Sequence, residues 1–245
     1  MIKIENLRKS FYSQNVLKGV NLDIDDGKIT VIIGRSGSGK SVLLKNIIGL
    51  LQPDEGKIFY KNTNIANVSK KELNKIRMNF GVLFQDAALF DSLNVFDNVA
   101  FPVVERKLFK HKKEIANAVE NTLRLVGLEG IDKKMPSELS GGMRKRVGLA
   151  RAIITNPGIV FFDEPTTGLD PLMSESIANL IKNMQNKLST TCFVISHDLS
   201  LTYRIADNIG LLDNGKIAEF SDKETFFKSD NKLVKEFLNS YKIGD

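Results

Sequence analysis

Gly34-Arg35-Ser36-Gly37-Ser38-Gly39-Lys40-Ser41 has the residue types and spacing of a phosphate cradle, G-x-x-x-x-G-K-[ST]. It follows the apolar run Ile29–Ile33 and opens a stretch of helical apolar spacing, the strand–loop–helix setting that such a cradle needs. Glycines let successive backbone N–H groups face a polyphosphate, and the helix N-terminus adds partial positive charge. Lys40 is expected to reach the β- and γ-phosphates, and the Ser41 hydroxyl to ligate Mg²⁺. A chance match in a chain of this length is on the order of one per cent, given average residue usage. Coincidence is a poor account of the motif.

Two further groups could act on the same chemistry. Ile159-Val160-Phe161-Phe162 is apolar enough for a strand buried on both faces, and Asp163-Glu164 emerges at its C-terminal edge, where α/β sheets bind ligands. Acids at a strand end are commonly a solvated edge. In a chain with a phosphate cradle, Asp163 becomes the expected partner of Mg²⁺. Glu164 is placed to orient and deprotonate a water attacking the γ-phosphate. Ser140-Gly141-Gly142, within Leu139-Ser140-Gly141-Gly142-Met143-Arg144-Lys145-Arg146, offers a hydroxyl, open backbone and a helix start. That makes either a second anion site or a plain N-cap.

The elements that must hold these residues alternate between strand and helix. Val20, Leu22 and Ile24 alternate with Asn21 and Asp23, the period of a half-buried strand, and Asp26-Gly27 reads as a hairpin-type turn. Lys40 to Leu51 has helical spacing until Pro53–Gly56 breaks it. A strand at Lys57–Tyr60, a turn at Asn62–Asn64 and a capping box at Ser69-Lys70-Lys71-Glu72 follow. After a strand at Phe80–Phe84, residues from about 88 to 155 carry helical patterns only. Ile115, Val119, Leu123 and Val126 share one face before Gly127, and a second run goes from Gly141 to Ile154. Strands Ile159–Phe162, Thr191–Ser196 and Ile209–Leu212 then alternate with helices near Met173–Leu188 and Leu199–Ile205, which predicts a largely parallel sheet. Asn214-Gly215 predicts a hairpin, and two short helices close the chain.

Composition bounds the function classes. At 245 residues, 42% hydrophobic and 26% charged, the chain is in the globular range and excludes disordered, collagen-like and coiled-coil classes. Its net charge of +6 is spread along the length, which suits an anionic ligand or membrane surface and does not indicate a nucleic-acid partner. The single cysteine, Cys192, lies in an apolar run and reads as a small buried hydrophobe. Charges at Lys3 and Glu5 argue against a signal peptide, and no run approaches the ~20 apolar residues of a membrane span. A cytoplasmic protein is expected, with a partner doing any spanning.

Taken in order, the cradle, Gln85 at a strand end, Ser140-Gly141-Gly142, Asp163-Glu164, Gly168-Leu169-Asp170 and His197 after a strand closely resemble the ATP-binding-cassette (ABC) ATPases over nearly the whole chain. The resemblance implies an α/β fold: a P-loop NTPase core with a RecA-like parallel sheet, an N-terminal antiparallel β-subdomain and an inserted α-helical subdomain at about 88–155, all within one nucleotide-binding domain. It implies ATP and Mg²⁺ as ligands. Gln85 is then a metal- and water-sensing glutamine beside the membrane partner, Asp170 a nucleotide-side aspartate, and His197 a histidine contacting the γ-phosphate. Phe11 falls where the family stacks an aromatic on adenine, although Tyr12 is adjacent. Ser140 would cap the nucleotide held by a second copy, so the implied unit is a homodimer working with an integral-membrane permease.

Residues Gly81 to Pro102, with Gln85-Asp86-Ala87-Ala88-Leu89-Phe90 at their centre, and Ser140 to Val147 are similar to the Mla-type, MCE-associated lipid-transport ATPases. That similarity implies phospholipid as cargo, an MCE-type lipid-binding protein in the complex and a place on the cytoplasmic face of the inner membrane. The alternative is a generic importer of amino acids or metals. A soluble cassette acting on DNA or ribosomes fits less well, since such proteins carry tandem cassettes or a coiled-coil arm, and an intact Glu164 disfavours a non-hydrolysing regulator. Arg144-Lys145-Arg146 and the run Lys107, Lys110, Lys112, Lys113 read as solvated helix faces, or as contacts to anionic headgroups.

Overall fold

A computed structural model describes residues 2–240. The chain forms two compact units. The first takes the described residues up to Arg77 and from Thr191 onward, and the second is Met78–Thr190.

The first unit opens with strands β1 (Ile2–Phe11), β2 (Gln14–Ile24) and β3 (Ile29–Ile33), helix α1 (Lys40–Ile47), strands β4 (Glu55–Tyr60) and β5 (Thr63–Asn64), and helix α2 (Lys70–Arg77). An antiparallel sheet runs in the order β2-β1-β4-β5, with Ile4 opposite both Leu22 and Ile58. Val20, Leu22 and Ile24 are buried and Asn21 and Asp23 exposed, as the alternation predicts. The Asp26-Gly27 turn is not a hairpin. It hands the chain from β2, in this sheet, to β3, which pairs elsewhere, and the Gly27 N–H donates to Thr191 Oγ1. The reason lies in the side chains: β2 is buried on alternate residues, whereas all of β3 is buried and belongs in the middle of a parallel sheet. Helix α1 also stops short of Leu51. Gly49 takes φ +73°, and the Arg77 guanidinium donates to the carbonyls of Ile48 and Gly49, satisfying groups that a helix end leaves open.

The second unit contains β6 (Phe80–Leu83), α3 (Val95–Glu105), α4 (Lys112–Leu125), α5 (Gly141–Ile153), β7 (Ile159–Asp163) and α6 (Pro171–Leu188). Strands β6 and β7 are parallel, with Leu83 level with Phe162. Asn94 caps α3 by accepting from the Asp97 N–H. The fully buried Asn98 donates to the Phe90, Leu93 and Asn94 carbonyls and accepts from the Phe90 N–H, which pins the segment after Gln85. On α4, Val119 and Leu123 are buried, and Gly127 at φ +68° ends the turn that follows.

The chain returns to the first unit through β8 (Thr191–Ser196), α7 (Leu199–Ile205), β9 (Asn208–Asp213), β10 (Lys216–Asp222), α8 (Lys223–Phe227) and α9 (Lys232–Asn239). Strand β3 lies between β8 and β9, parallel to both, and β10 pairs antiparallel with β9. Cys192 is buried in β8. Gly215, at φ +77°, turns β9 into β10, and a Cβ there would lie 2.3 Å from the Val16 carbonyl oxygen. Gly215→Ala should therefore lower stability by about 2 kcal/mol or more, from the left-handed backbone and the overlap together. Urea unfolding measures it. An unchanged midpoint would mean that the turn relaxes freely.

Candidate active site

In the first unit the loop from Gly34 to Gly39 leaves β3 and becomes α1. A Cβ on Gly34 would meet the Leu212 carbonyl oxygen at 2.3 Å, so only glycine lets the chain turn there. Gly39 occupies the N-cap position at φ +106°, and the first turn of α1 carries no acidic residue to compete for its N–H groups. Lys40 is buried and curls back, its Nζ donating to Gly34 O at 2.8 Å and Arg35 O at 3.3 Å. Ser38 Oγ is buried without a hydrogen-bond partner. An orphaned hydroxyl, a cation and a helix N-terminus without a side-chain cap around one loop are what a polyphosphate would satisfy, so the residues fit ATP.

His197 reaches the same edge. Ile33 is level with Ser196 across β3 and β8, so Gly34 and His197 leave neighbouring strands side by side. His197 is exposed in the turn before α7, which Asp198 caps by accepting from the Leu201 N–H at 3.0 Å. Phe11 ends β1 about two-fifths exposed, with Lys9 Nζ 5.6 Å from its ring centre, and Tyr12 beside it is fully exposed at φ +52°.

The second unit holds the carboxylates. Asp163 and Glu164 sit at the C-terminal end of β7, whose five residues are all buried, and both acids are themselves buried. Glu164 takes φ +49°, a left-handed conformation that costs a non-glycine residue roughly 1–2 kcal/mol. Gln85 is exposed two residues past the last β6–β7 pair, Leu83 with Phe162. Ser140 is the N-cap of α5, its Oγ accepting from the Met143 N–H at 3.3 Å, with Gly141 and Gly142 in the first turn. Asp170 caps α6 by accepting from the Met173 N–H at 2.9 Å, and both capping residues are exposed. Among the described residues no cluster of three or more His, Cys, Asp or Glu could hold a metal ion.

The basic cluster after Ser140 is not a solvated face. Lys145 is 6% exposed, with Nζ donating to Thr167 O at 2.7 Å and Glu164 O at 3.4 Å. Burial pushes its ammonium below the usual lysine range, partly offset by Asp86 and Glu164. Arg146 donates to Val126 O at 2.9 Å and to Ser176 Oγ at 2.6 Å. Only Arg144 of the three is exposed, whereas Lys107, Lys110, Lys112 and Lys113 are all exposed as expected. A signal existed in the sequence: Lys145 falls in the stripe of Gly142, Leu149 and Ala152, the buried face of α5. Arg151 on the same helix donates to Ala87 O at 2.7 Å and lies over the Phe90 ring, fastening the segment after Gln85.

Residues 17–167 match the ABC transporter family. The chain is 44% identical over 243 residues to a probable ribonucleotide transport ATP-binding protein of Mycobacterium leprae, covering 99% of this chain and 70% of that protein. It is 39% identical to the intermembrane phospholipid transport system ATP-binding protein MlaF of Haemophilus influenzae, covering 100% of this chain and 92% of that protein. Identity to the methionine import ATP-binding protein MetN of Clostridium tetani is 38%, over 96% and 74%. A solved dimeric, post-hydrolysis ATP-binding cassette with ADP and phosphate superposes with a TM-score of 0.83 at 31% identity, over 91% of this chain and 98% of that one. With a family match over more than half of its length and a full-length relative at 39% identity, the chain belongs to the ABC transporter family as an ATP- and Mg²⁺-dependent ATPase.

Proposed function

We propose that this ATPase powers phospholipid transport through a separate membrane permease, in a complex that also contains an MCE-type lipid-binding protein. The observation that carries the cargo assignment is the likeness to MlaF along the full chain. The permease would hold the protein at the cytoplasmic face of the inner membrane. Among the described residues no helix is long and apolar enough to cross it. The chain would act as one nucleotide-binding domain with a helical insertion at about 88–155, paired with a second copy, as in the dimeric relative.

In this reading the Gly34–Ser41 loop holds the phosphates of ATP, and Phe11 stacks on adenine. Ser41, Gln85 and Asp163 would hold Mg²⁺, which would neutralise phosphate charge when bound. Glu164 takes the proton of the attacking water, while Lys40 and His197 stabilise charge developing on the transferred phosphoryl. Ser140, Gly141, Gly142 and Asp170 face the nucleotide held by the second copy. Opening and closing of the pair moves the permease through Gln85 and the segment behind it.

The likeness to MetN supports a second reading, an importer of amino acids. Reconstitution with the cognate permease separates the two. Hydrolysis should depend on phospholipid and rise when lipid vesicles replace detergent. Stimulation by an amino acid with its binding protein, and none by phospholipid, would establish the second reading instead.

A further inference from the structure

Lys145 is a buried cation in the second unit that the roles above do not use. It stands on the inner face of α5, one turn past Gly142, and its ammonium reaches the loop that follows β7. That loop is a tight turn. The Thr167 N–H donates to Glu164 O at 3.2 Å, and Thr167 Oγ1 lies 3.5 Å from Glu164 Oε2. Lys145 Nζ grips both ends, Glu164 O at 3.4 Å and Thr167 O at 2.7 Å. Glu164 sits at φ +49°, a conformation that a glutamate keeps only where its surroundings impose it. Burying an ammonium is costly, and a buried charge is weak evidence for a purely stabilising role. The cation is therefore better explained by what it holds than by stability.

We propose that Lys145 is a positioning residue for Glu164: by bonding the two carbonyls of the Glu164–Thr167 turn it sets the direction of the Glu164 carboxylate toward the attacking water. Because Ser140 caps α5, the same side chain ties the Ser140-Gly141-Gly142 segment to the hydrolytic acid of its own chain. The proposal rests on Glu164 being the general base.

The test uses the full-length protein and its ATPase activity. Lys145→Met keeps the stem and removes the donors. It should lower kcat at least 10-fold while leaving KM for ATP within about 3-fold, the mark of an interaction that acts on the transition state. Lys145→Arg, which keeps a cation and donors, should recover most of the loss. In a Glu164→Gln background, where chemistry is already stopped, Lys145→Met should leave the ATP-bound dimer intact. A near-normal kcat for Lys145→Met overturns the proposal, and so does loss of ATP-driven dimerisation, which would make Lys145 merely structural. If Lys145→Met does not fold, Lys145→Leu, which also lacks donors, carries the same comparison. An active Glu164→Gln would remove the base assignment itself and the proposal with it. An inactive Glu164→Gln beside an active Lys145→Met rejects the proposal alone.

Discussion

Glu164→Gln is expected to bind ATP normally and to lose at least 10²-fold in turnover. The substitution replaces one carboxylate oxygen by an NH2 group and preserves size, so the buried site at the end of β7 should keep its packing. What disappears is the proton acceptor. Asp163 does not substitute for it, since the assignment gives that carboxylate to Mg²⁺. With hydrolysis blocked and binding intact, the variant should accumulate as an ATP-bound dimer, visible by size-exclusion chromatography with ATP and absent with ADP. Steady-state phosphate release and nucleotide affinity together decide the point. Near-normal hydrolysis would take Glu164 out of the role of base.

A second large effect is expected from mixing two inactive chains. Lys40→Ala removes the cation from the phosphate loop, together with its bonds to the Gly34 and Arg35 carbonyls. Ser140→Arg plugs the second anion site. It also removes the cap on α5, at a cost of about 1 kcal/mol, which a domain of this size tolerates. Each homodimer should be inactive. In a mixed dimer with shared sites, one composite site carries both defects and the other pairs a normal Lys40 with a normal Ser140. If each chain supplied a complete site, both sites would be defective. Doubly tagged, purified mixed dimers should therefore hydrolyse ATP measurably above either parent. Cooperation between sites can hold the rate below half of normal, so the presence of turnover is what counts. A mixed dimer that closes on ATP yet shows only parental background would remove Ser140 from the partner's site.

Much of the candidate site was legible because its residue pattern is local. The phosphate loop is a contiguous strand–turn–helix, with Lys40 and Ser41 placed by the backbone that precedes them. Asp163-Glu164 follows an apolar run that has to be a buried strand. Ser140 reads as a helix start and caps α5, while Asp170, which entered through the family resemblance, caps α6. Sequence spacing also separated the strand-rich ends from the helical middle and put Cys192 in a core strand.

Other features depended on partners distant in the chain. The Asp26-Gly27 dipeptide has the composition of a hairpin turn, yet β2 and β3 join different sheets, because strand pairing is chosen by burial across each sheet. Helix α1 has the spacing to reach Leu51, yet it stops at Ile47, with Gly49 in a left-handed turn and Arg77 satisfying the carbonyls of Ile48 and Gly49. Lys145 and Arg146 looked solvated because charged side chains almost always are. Their acceptors, the carbonyls of Glu164, Thr167 and Val126, lie about twenty residues away, at distances that no local pattern encodes. Sequence by itself determined which groups could bind phosphate and move a proton, since side-chain chemistry and backbone period are local properties. Tertiary structure alone decided which carbonyls a buried cation would hold, since a buried charge takes its partners from whatever backbone the fold packs against it.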